Sequence, residues 1–224
     1  MIADFAMKFS DEEKNSFYRL LESRRDVRSG FQSKEIPDEV LKRILTAAHH
    51  APSVGYLQPW DFLIIRSEEV KQNIKDNFLQ VSKRESQLFT GEKQDLYKAL
   101  KLEGILEAPV NLCVTCDLKR DEGNQLGRSA QSSMDIYSTV CAIQNMWLAA
   151  RVEGIGMGWV SILEEKHISE VLDLPESVKL IGYFCLGYVD EFKEQPELES
   201  AGWNQRVDID DLIRYENWKT QKKG

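Results

Sequence analysis

No stretch of this 224-residue chain approaches the roughly 18 consecutive apolar residues needed to span a bilayer, and the N-terminal MIADFAMKFSDEEKNSF lacks a basic flank followed by a long apolar run. We therefore expect a cytoplasmic protein with no membrane partner. Positive charge is also in deficit: 29 Lys plus Arg stand against 37 Asp plus Glu, a formal charge of −8. Long-range attraction to nucleic acid or anionic lipid has no support, so any anion site has to be local. Cysteine is sparse, with 4 in the chain, at positions 113, 116, 141 and 185. The pair in LCVTCDL invites a metal or redox reading, but PVNLCVTCDL is a β-branched apolar run typical of a buried strand, on which residues three apart point to opposite faces. Of the 3 histidines, His49 and His50 diverge by about 100° on one helix, and His167 has no HExxH partner. No metal site is expected. Phosphate-cradling loops are missing as well. There is no GxxxxGK[ST], and GIGMG (154–158) follows a helix and leads into a strand, the reverse of the dinucleotide-binding order, so it reads as a helix stop and tight turn.

What is present suits one large core, with 42% hydrophobic residues and no repeat or low-complexity linker. Helices are expected around DEEKNSFYRLLESR and in IPDEVLKRILTAAHHA, where Pro37 suits the first turn and Pro52 the stop. WDFLIIRS, PVNLCVTCDL, GWVSIL and KLIGYFCLGYVDE read as strands. EEVKQNIKDNFLQVSKRESQLF and QDLYKALKLEGI read as helices joined by a polar TGEK turn, and DDLIRYENW reads as a last helix. SSMDIYSTVCAIQNMWLAARVEG is the longest helix candidate, apolar at 136, 140, 143 and 147 and again at 137, 141 and 148. One such face can pack on the sheet while the other meets a second copy, giving a homodimer; a helix wrapped by its own chain is the alternative. The expected fold class is α+β: one domain over 1–224, helices covering a mostly antiparallel or mixed sheet.

One short stretch concentrates charge. RRDVRSGF (24–31) places Arg24, Arg25 and Arg28 around Asp26. Two guanidiniums four apart on a helix or its frayed end can grip one phosphate, each charge-assisted bond contributing roughly 1.5–3 kcal/mol. The alternative is a solvated run in which Asp26 pairs with a neighbour for about 0–1 kcal/mol. Further on, AAHHAPSVGYLQPWDF joins a helix end to a strand through Pro, Ser, Gly and Gln, a turn able to bring backbone N–H groups and the Ser53 hydroxyl to a flat ligand.

Taken together, RRxxR, APSxxxxQPW, a long central helix, a glycine-rich turn into a strand and a late arginine in GWNQR resemble the nitroreductase family of FMN-binding homodimers over nearly the whole chain. RRDVR, APSVGYLQPW, LKLEGILEAP, the long-helix segment with GWVSIL, and GWNQR are similar to one branch of it, the BluB-type 5,6-dimethylbenzimidazole synthases, which consume their flavin. Asp26 and Tyr56 stand where ordinary nitroreductases commonly carry Ser and Asn.

The resemblance implies that Arg24, Arg25 and Arg28, with Val27 in the same segment, bind the FMN phosphate and ribityl chain, and that Arg206 completes the phosphate site. It implies that Ser53 contacts the flavin, that Gly55 is the small residue beside its oxygen-reacting edge, and that Asp26 and Ser161 are the two polar residues needed to break the flavin apart. Tyr56 implies a differently lined pocket. In this reading reduced FMN is substrate as well as ligand, O2 is co-substrate, and a tetrose phosphate fragment leaves. A separate NAD(P)H-flavin reductase supplies the electrons. Chemically, Asp26 would act as general base and proton shuttle near the ribityl chain, while Ser161 would orient or relay; without the resemblance Ser161 reads as a satisfied core hydroxyl. The segment from Glu68 to Gly104 is expected to form a lid that excludes water, its alternative being a surface helical pair. Lys101 and Glu103 could face flavin or solvent, and Trp60, Trp147 and Trp159 read first as core or interface aromatics. Two other functions remain open: an FMN-dependent NAD(P)H nitroreductase or dehalogenase, and a flavin-binding protein without turnover.

Overall fold

The structure is a computed structural model, described here for residues 8–123 and 125–218. Helix α1 (Asp11–Ser23) begins with a capping box, the Glu13 N–H donating to Ser10 Oγ at 3.2 Å and the Ser10 N–H to the Glu13 carboxylate at 2.7 Å. It buries no residue, leaving Phe17, Tyr18 and Leu21 exposed. α2 (Asp38–His49) buries Val40, Leu41, Ile44 and Ala48, an i, i+1, i+4, i+8 stripe. Pro37 is its N-cap, one position before the expected first turn.

A short 3-10 turn (Val54–Tyr56) leads into β1 (Trp60–Ile65). α3 (Glu68–Ser86) and α4 (Gly91–Ala99) form a helical hairpin. The TGEK segment is the start of α4 instead of a separate turn, and α4 ends before LKLEGI because Leu100 turns extended at φ −71°, ψ 135°. β2 (Val110–Asp117), α5 (Met134–Val152), β3 (Ile155–Val160), α6 (Glu165–Val171), β4 (Val178–Tyr188) and α7 (Glu197–Ser200) follow. DDLIRYENW gives only a 3-10 turn, Ile209–Asp211.

All pairings in the sheet are antiparallel, in the order β1-β2-β4-β3. Successive side chains alternate between two cores. Leu112, Val114, Phe184 and Leu186 face α2 and α5, while Cys113, Tyr183 and Cys185 face the side of Ile74, Phe78 and Ile168 from α3 and α6. Cys113 and Cys116 do point apart, since Cys116 bonds Thr139 of α5. Burial pushes the Cys113 thiol up to about 12, so it is inert.

α5 departs from its expected pattern. Its buried face runs through Asp135, Ser138, Thr139, Ala142, Ile143, Met146 and Ala150, whereas Tyr137, Val140 and Cys141 are exposed. Small residues let α5 lie close to α2 and the sheet, and the more apolar side is left outward.

Candidate functional site

The arginine stretch is not helical. α1 stops at Ser23, and its C-cap Arg24 is extended at φ −67°, ψ 134°. In extended chain, alternate residues share a side, which places Asp26 with Arg28: the guanidinium donates to Asp26 Oδ2 at 2.5 Å, with the two side chains 13% and 28% exposed for Arg and Asp respectively. The other carboxylate oxygen accepts from the Trp159 N–H at 2.9 Å. Asp26 is thus fixed at both oxygens, against β3 on one side and a cation on the other. The solvated alternative was right that Asp26 pairs with a neighbour and wrong about its exposure.

The segment is stitched to the sheet by Val27 N–H to Met157 O at 3.0 Å, the Phe31–Val189 bridge, and Gln32 N–H to Tyr188 O at 2.8 Å. Gly158 makes this approach possible. A Cβ there would lie 2.0 Å from the Val27 carbonyl oxygen and 3.5 Å from Asp26 Oδ1. Only Gly154 of GIGMG, at φ +73°, is the expected helix stop; Gly156 and Gly158 lie inside β3.

The arginines are held from below. The Arg24 guanidinium lies 4.9 Å from the Trp147 ring centroid. Arg25 donates to the carbonyls of Glu22, Arg24 and Glu194, and its own carbonyl accepts from Trp147 Nε1 at 3.1 Å. Burial pushes the Arg24 guanidinium below its ordinary value, Asp26 opposes this, and the charges of Arg25 and Arg206 add to it. The charge of the late arginine, Arg206, exposed and 182 residues beyond Arg24, thus acts on the cluster. Arg151 is a fifth cation, depressed by burial and by Arg25; nothing in its helical sequence context marked it.

Two observations fit an oxyanion here. Arg25 Nε and Arg28 Nε are buried donors without an acceptor, and the cluster holds several arginines but one aspartate, which Arg28 alone pairs. Buried donors of this kind are rarely left unmet, and a phosphate supplies several acceptor oxygens.

Ser161 lies one residue past β3 and is exposed, so the core-hydroxyl alternative is overturned. It stands two residues beyond the N–H that anchors Asp26, about 7 Å of extended chain away. Ser53 is elsewhere. Its Oγ accepts from the Gln58 N–H at 3.1 Å, and the Val54 N–H donates to Ser138 Oγ at 3.1 Å, tying the turn to the start of α5. Gly55, Tyr56 and Gln58 all have positive φ, of 54°, 56° and 50°. For Tyr56, 82% exposed, this is an uncommon conformation, and it presents the ring to the outside.

The Ser53 turn touches α5 at Ser138 and the arginine segment touches it at Trp147, positions about 14 Å apart along a helix axis. One chain thus brings Arg24, Arg25, Asp26, Val27 and Arg28 together, with Ser161 close by and the charge of Arg206 acting on Arg24, and leaves Ser53 and Gly55 at the other end of α5. Concavities of about 710 Å³ beside α6 and 650 Å³ between Ile36 and Val110 hold none of these residues.

Other expectations resolve more simply. Glu103 does not face solvent: it is buried, bonded by Lys75 and by the Ile105 N–H at 2.7 Å, while Lys101 is directed chiefly to Glu107 at 2.6 Å. Trp60 is core, and its Nε1 donates to His49 Nδ1 at 3.1 Å. Among the described residues no group of three or more His, Cys, Asp and Glu side chains could hold a metal ion, and no helix is long and apolar enough to cross a membrane.

Comparison with known proteins identifies the family. The chain is 39% identical over 198 residues to a protein of Rhodospirillum rubrum named 5,6-dimethylbenzimidazole synthase, covering 88% of this chain and 93% of the relative. It is 31% identical over 201 residues to one of the same name from Rhodobacter capsulatus, covering 90% and 97%. Among solved structures, iodotyrosine deiodinase bound to FMN and 3-iodo-L-tyrosine superposes with a TM-score of 0.69 at 23% identity, over 90% of this chain and 99% of that one, which shows the shared fold. With residues 21–188 matching the profile of the Nitroreductase family, the chain belongs to the nitroreductase family.

Proposed function

We propose that this protein binds reduced FMN and, with O2, converts it to 5,6-dimethylbenzimidazole, the lower-ligand base of cobalamin. The observation that carries this reading is the double anchoring of Asp26 inside a phosphate-fitting arginine cluster. A flavin that is merely recycled needs the arginines; the carboxylate locked beside them adds a group able to move protons near the sugar chain. The two relatives of the same name support the assignment at 39% and 31% identity.

Bound reduced FMN supplies the electrons that O2 accepts and the carbon skeleton of the product. The chain's residues do the rest. Arg24, Arg25, Arg28 and Arg206 hold the phosphate, with Val27 fixing the segment on β3. Asp26 takes a proton from the ribityl side, its bonds to the Trp159 N–H and to Arg28 keeping the carboxylate oriented. Ser161 orients or relays a proton from the exposed end of β3. The α3–α4 hairpin, within 68–104, serves as the lid that keeps water out.

A homodimer completes the site. Ser53 and Gly55 lie too far along α5 to enclose a ligand held at the arginines of their own chain, and a second copy brings its turn there. Exposed Phe17, Tyr18 and Leu21 of α1, Tyr137 and Val140 of α5, and Val207, Ile209 and Leu212 near the C-terminus give such a copy an apolar surface to cover. A separate NAD(P)H-flavin reductase delivers the reduced FMN.

The test is to mix purified protein with chemically reduced FMN in air, without NAD(P)H, and analyse the products by mass spectrometry. 5,6-Dimethylbenzimidazole is expected. Intact FMN with rapid NADH-dependent reduction of nitroaromatics would replace this reading with a nitroreductase, and bound FMN with neither outcome would leave a flavin-binding protein.

A further inference from the structure

The stretch from Glu194 to Arg206 is a strap that meets the arginine cluster at its start and the helical hairpin further on, and ends at Arg206, whose charge acts on Arg24. At its start, Arg25 donates to the Glu194 carbonyl. α7 then closes around Gly202, at φ +74°. The Gly202 N–H bonds Glu199 O at 3.0 Å and the Trp203 N–H bonds Leu198 O at 2.9 Å, the paired bonds of a helix end turned by a left-handed glycine. That turn fixes the direction in which Trp203 leaves the helix. Its indole lands on the hairpin, 5.3 Å from Phe89 at 84° and 6.2 Å from Tyr97, with those two rings stacked 5.2 Å apart and the Lys93 ammonium 4.8 Å from the indole centroid. Edge-to-face and cation contacts of this kind are directional. Three residues later, within about 11 Å of chain, comes Arg206, whose charge is felt at Arg24.

We propose that Trp203 is a positioning residue: docked on Phe89 and Tyr97, it makes placement of Arg206 on the FMN phosphate and closure of the α3–α4 hairpin one event. The inference rests on the reading of the arginine cluster as the phosphate site. Linkage then requires reciprocity. If docking of Trp203 strengthens the grip of Arg206, a phosphate held by Arg206 must stabilise the docked hairpin by the same factor. A ligand without the phosphate gains nothing from either.

FMN and riboflavin, which differ by that phosphate, are the probes. Affinity is read by flavin fluorescence and hairpin closure by amide hydrogen exchange over residues 89–97. In the wild type FMN slows exchange there and riboflavin does not. Trp203→Ala should weaken FMN binding about tenfold, a typical coupling, leave riboflavin binding unchanged, and be largely rescued by Trp203→Phe. Arg206→Ala, an exposed change that leaves the packing intact, should abolish the FMN-induced protection even at saturating ligand. Equal losses for both flavins in Trp203→Ala, or full protection retained in Arg206→Ala, would overturn the coupling. A wild type that binds FMN no better than riboflavin would instead remove the phosphate site itself, and the coupling with it.

Discussion

Replacing Asp26 by Asn separates the two things its segment does. The substitution preserves shape and the acceptor for the Trp159 N–H, now 2.9 Å away, and deletes the charge facing Arg28. A charge-assisted hydrogen bond contributes about 1.5–3 kcal/mol and a neutral one about 0.5–1.5 kcal/mol. Partial exposure of both partners puts the difference near the low end, about 1 kcal/mol, or a fall in Tm of about 2–4 °C for a chain of this size. Flavin binding should move the other way. Five arginines against one aspartate leave an excess of positive charge, and the variant raises it by one, so FMN phosphate is held at least as well. Loss of a general base costs about 10²–10⁴ in rate. The expected result is FMN affinity within a few-fold of wild type by fluorescence titration, with 5,6-dimethylbenzimidazole absent by mass spectrometry. If Asp26→Asn lost as much affinity as Arg24→Ala, the carboxylate would be part of the binding architecture and its role as base would be refuted. Retained turnover would refute it as directly.

Gly158→Ala forces a methyl to within 2.0 Å of the Val27 carbonyl oxygen, and because that atom is backbone the whole 26–28 segment has to lift. Overpacking of this kind costs about 1–3 kcal/mol and often more; urea unfolding should show the loss, and FMN affinity should fall with it. Ser161→Ala removes an exposed hydroxyl, so stability should stay within about 0.5 kcal/mol while benzimidazole formation drops; unchanged product yield would remove Ser161 from the chemistry. Burial opposes ionisation of Glu103, but bonds from Lys75 and the Ile105 N–H, with the Lys101 charge, outweigh it and hold its carboxyl below the ordinary carboxylate range. A carboxyl depressed in the folded state stabilises the protein above its unfolded pKa and loses that stabilisation as pH falls through the folded value. Tm should therefore drop below about pH 4.5, and Glu103→Gln should flatten that part of the profile while lowering Tm at pH 7.

Much of the fold was legible because its signals are local. The prolines that bracket α2 and the β-branched run of β2 each mark their element without reference to the rest of the chain. The arginines were legible as residues and misread as geometry. The helical pattern of α1 appears to any periodicity argument to run on into Arg24, whereas the chain turns extended there because β3 offers it an edge, through Met157 O and the Trp159 N–H. That edge is open only because residues 156 and 158 carry no side chain, and a pair of glycines two apart says nothing by itself about which segment will lie against them. The same limit applied to Arg206, whose place beside Arg24 depends on a strap with little regular structure.

The expected helix in DDLIRYENW failed for a related reason. Helices this short are marginal in water unless an apolar face is buried, and Ile209, Leu212 and Ile213 find no core within their own chain. α1 likewise keeps Phe17 and Tyr18 outside, and α5 turns its more apolar side away from the sheet. Sequence periodicity reports that a face is apolar; it carries no label for the molecule that covers it. Three elements leave such faces uncovered in one chain, and the Ser53 turn is stranded at the far end of α5 from the arginines. The proposed second copy would account for both facts at once: the contacts that bury these faces would be the ones that carry Gly55 to the flavin. A variant that breaks the dimer, such as Val140→Asp on the exposed side of α5, should therefore lose flavin affinity even though every arginine of the phosphate cluster is intact.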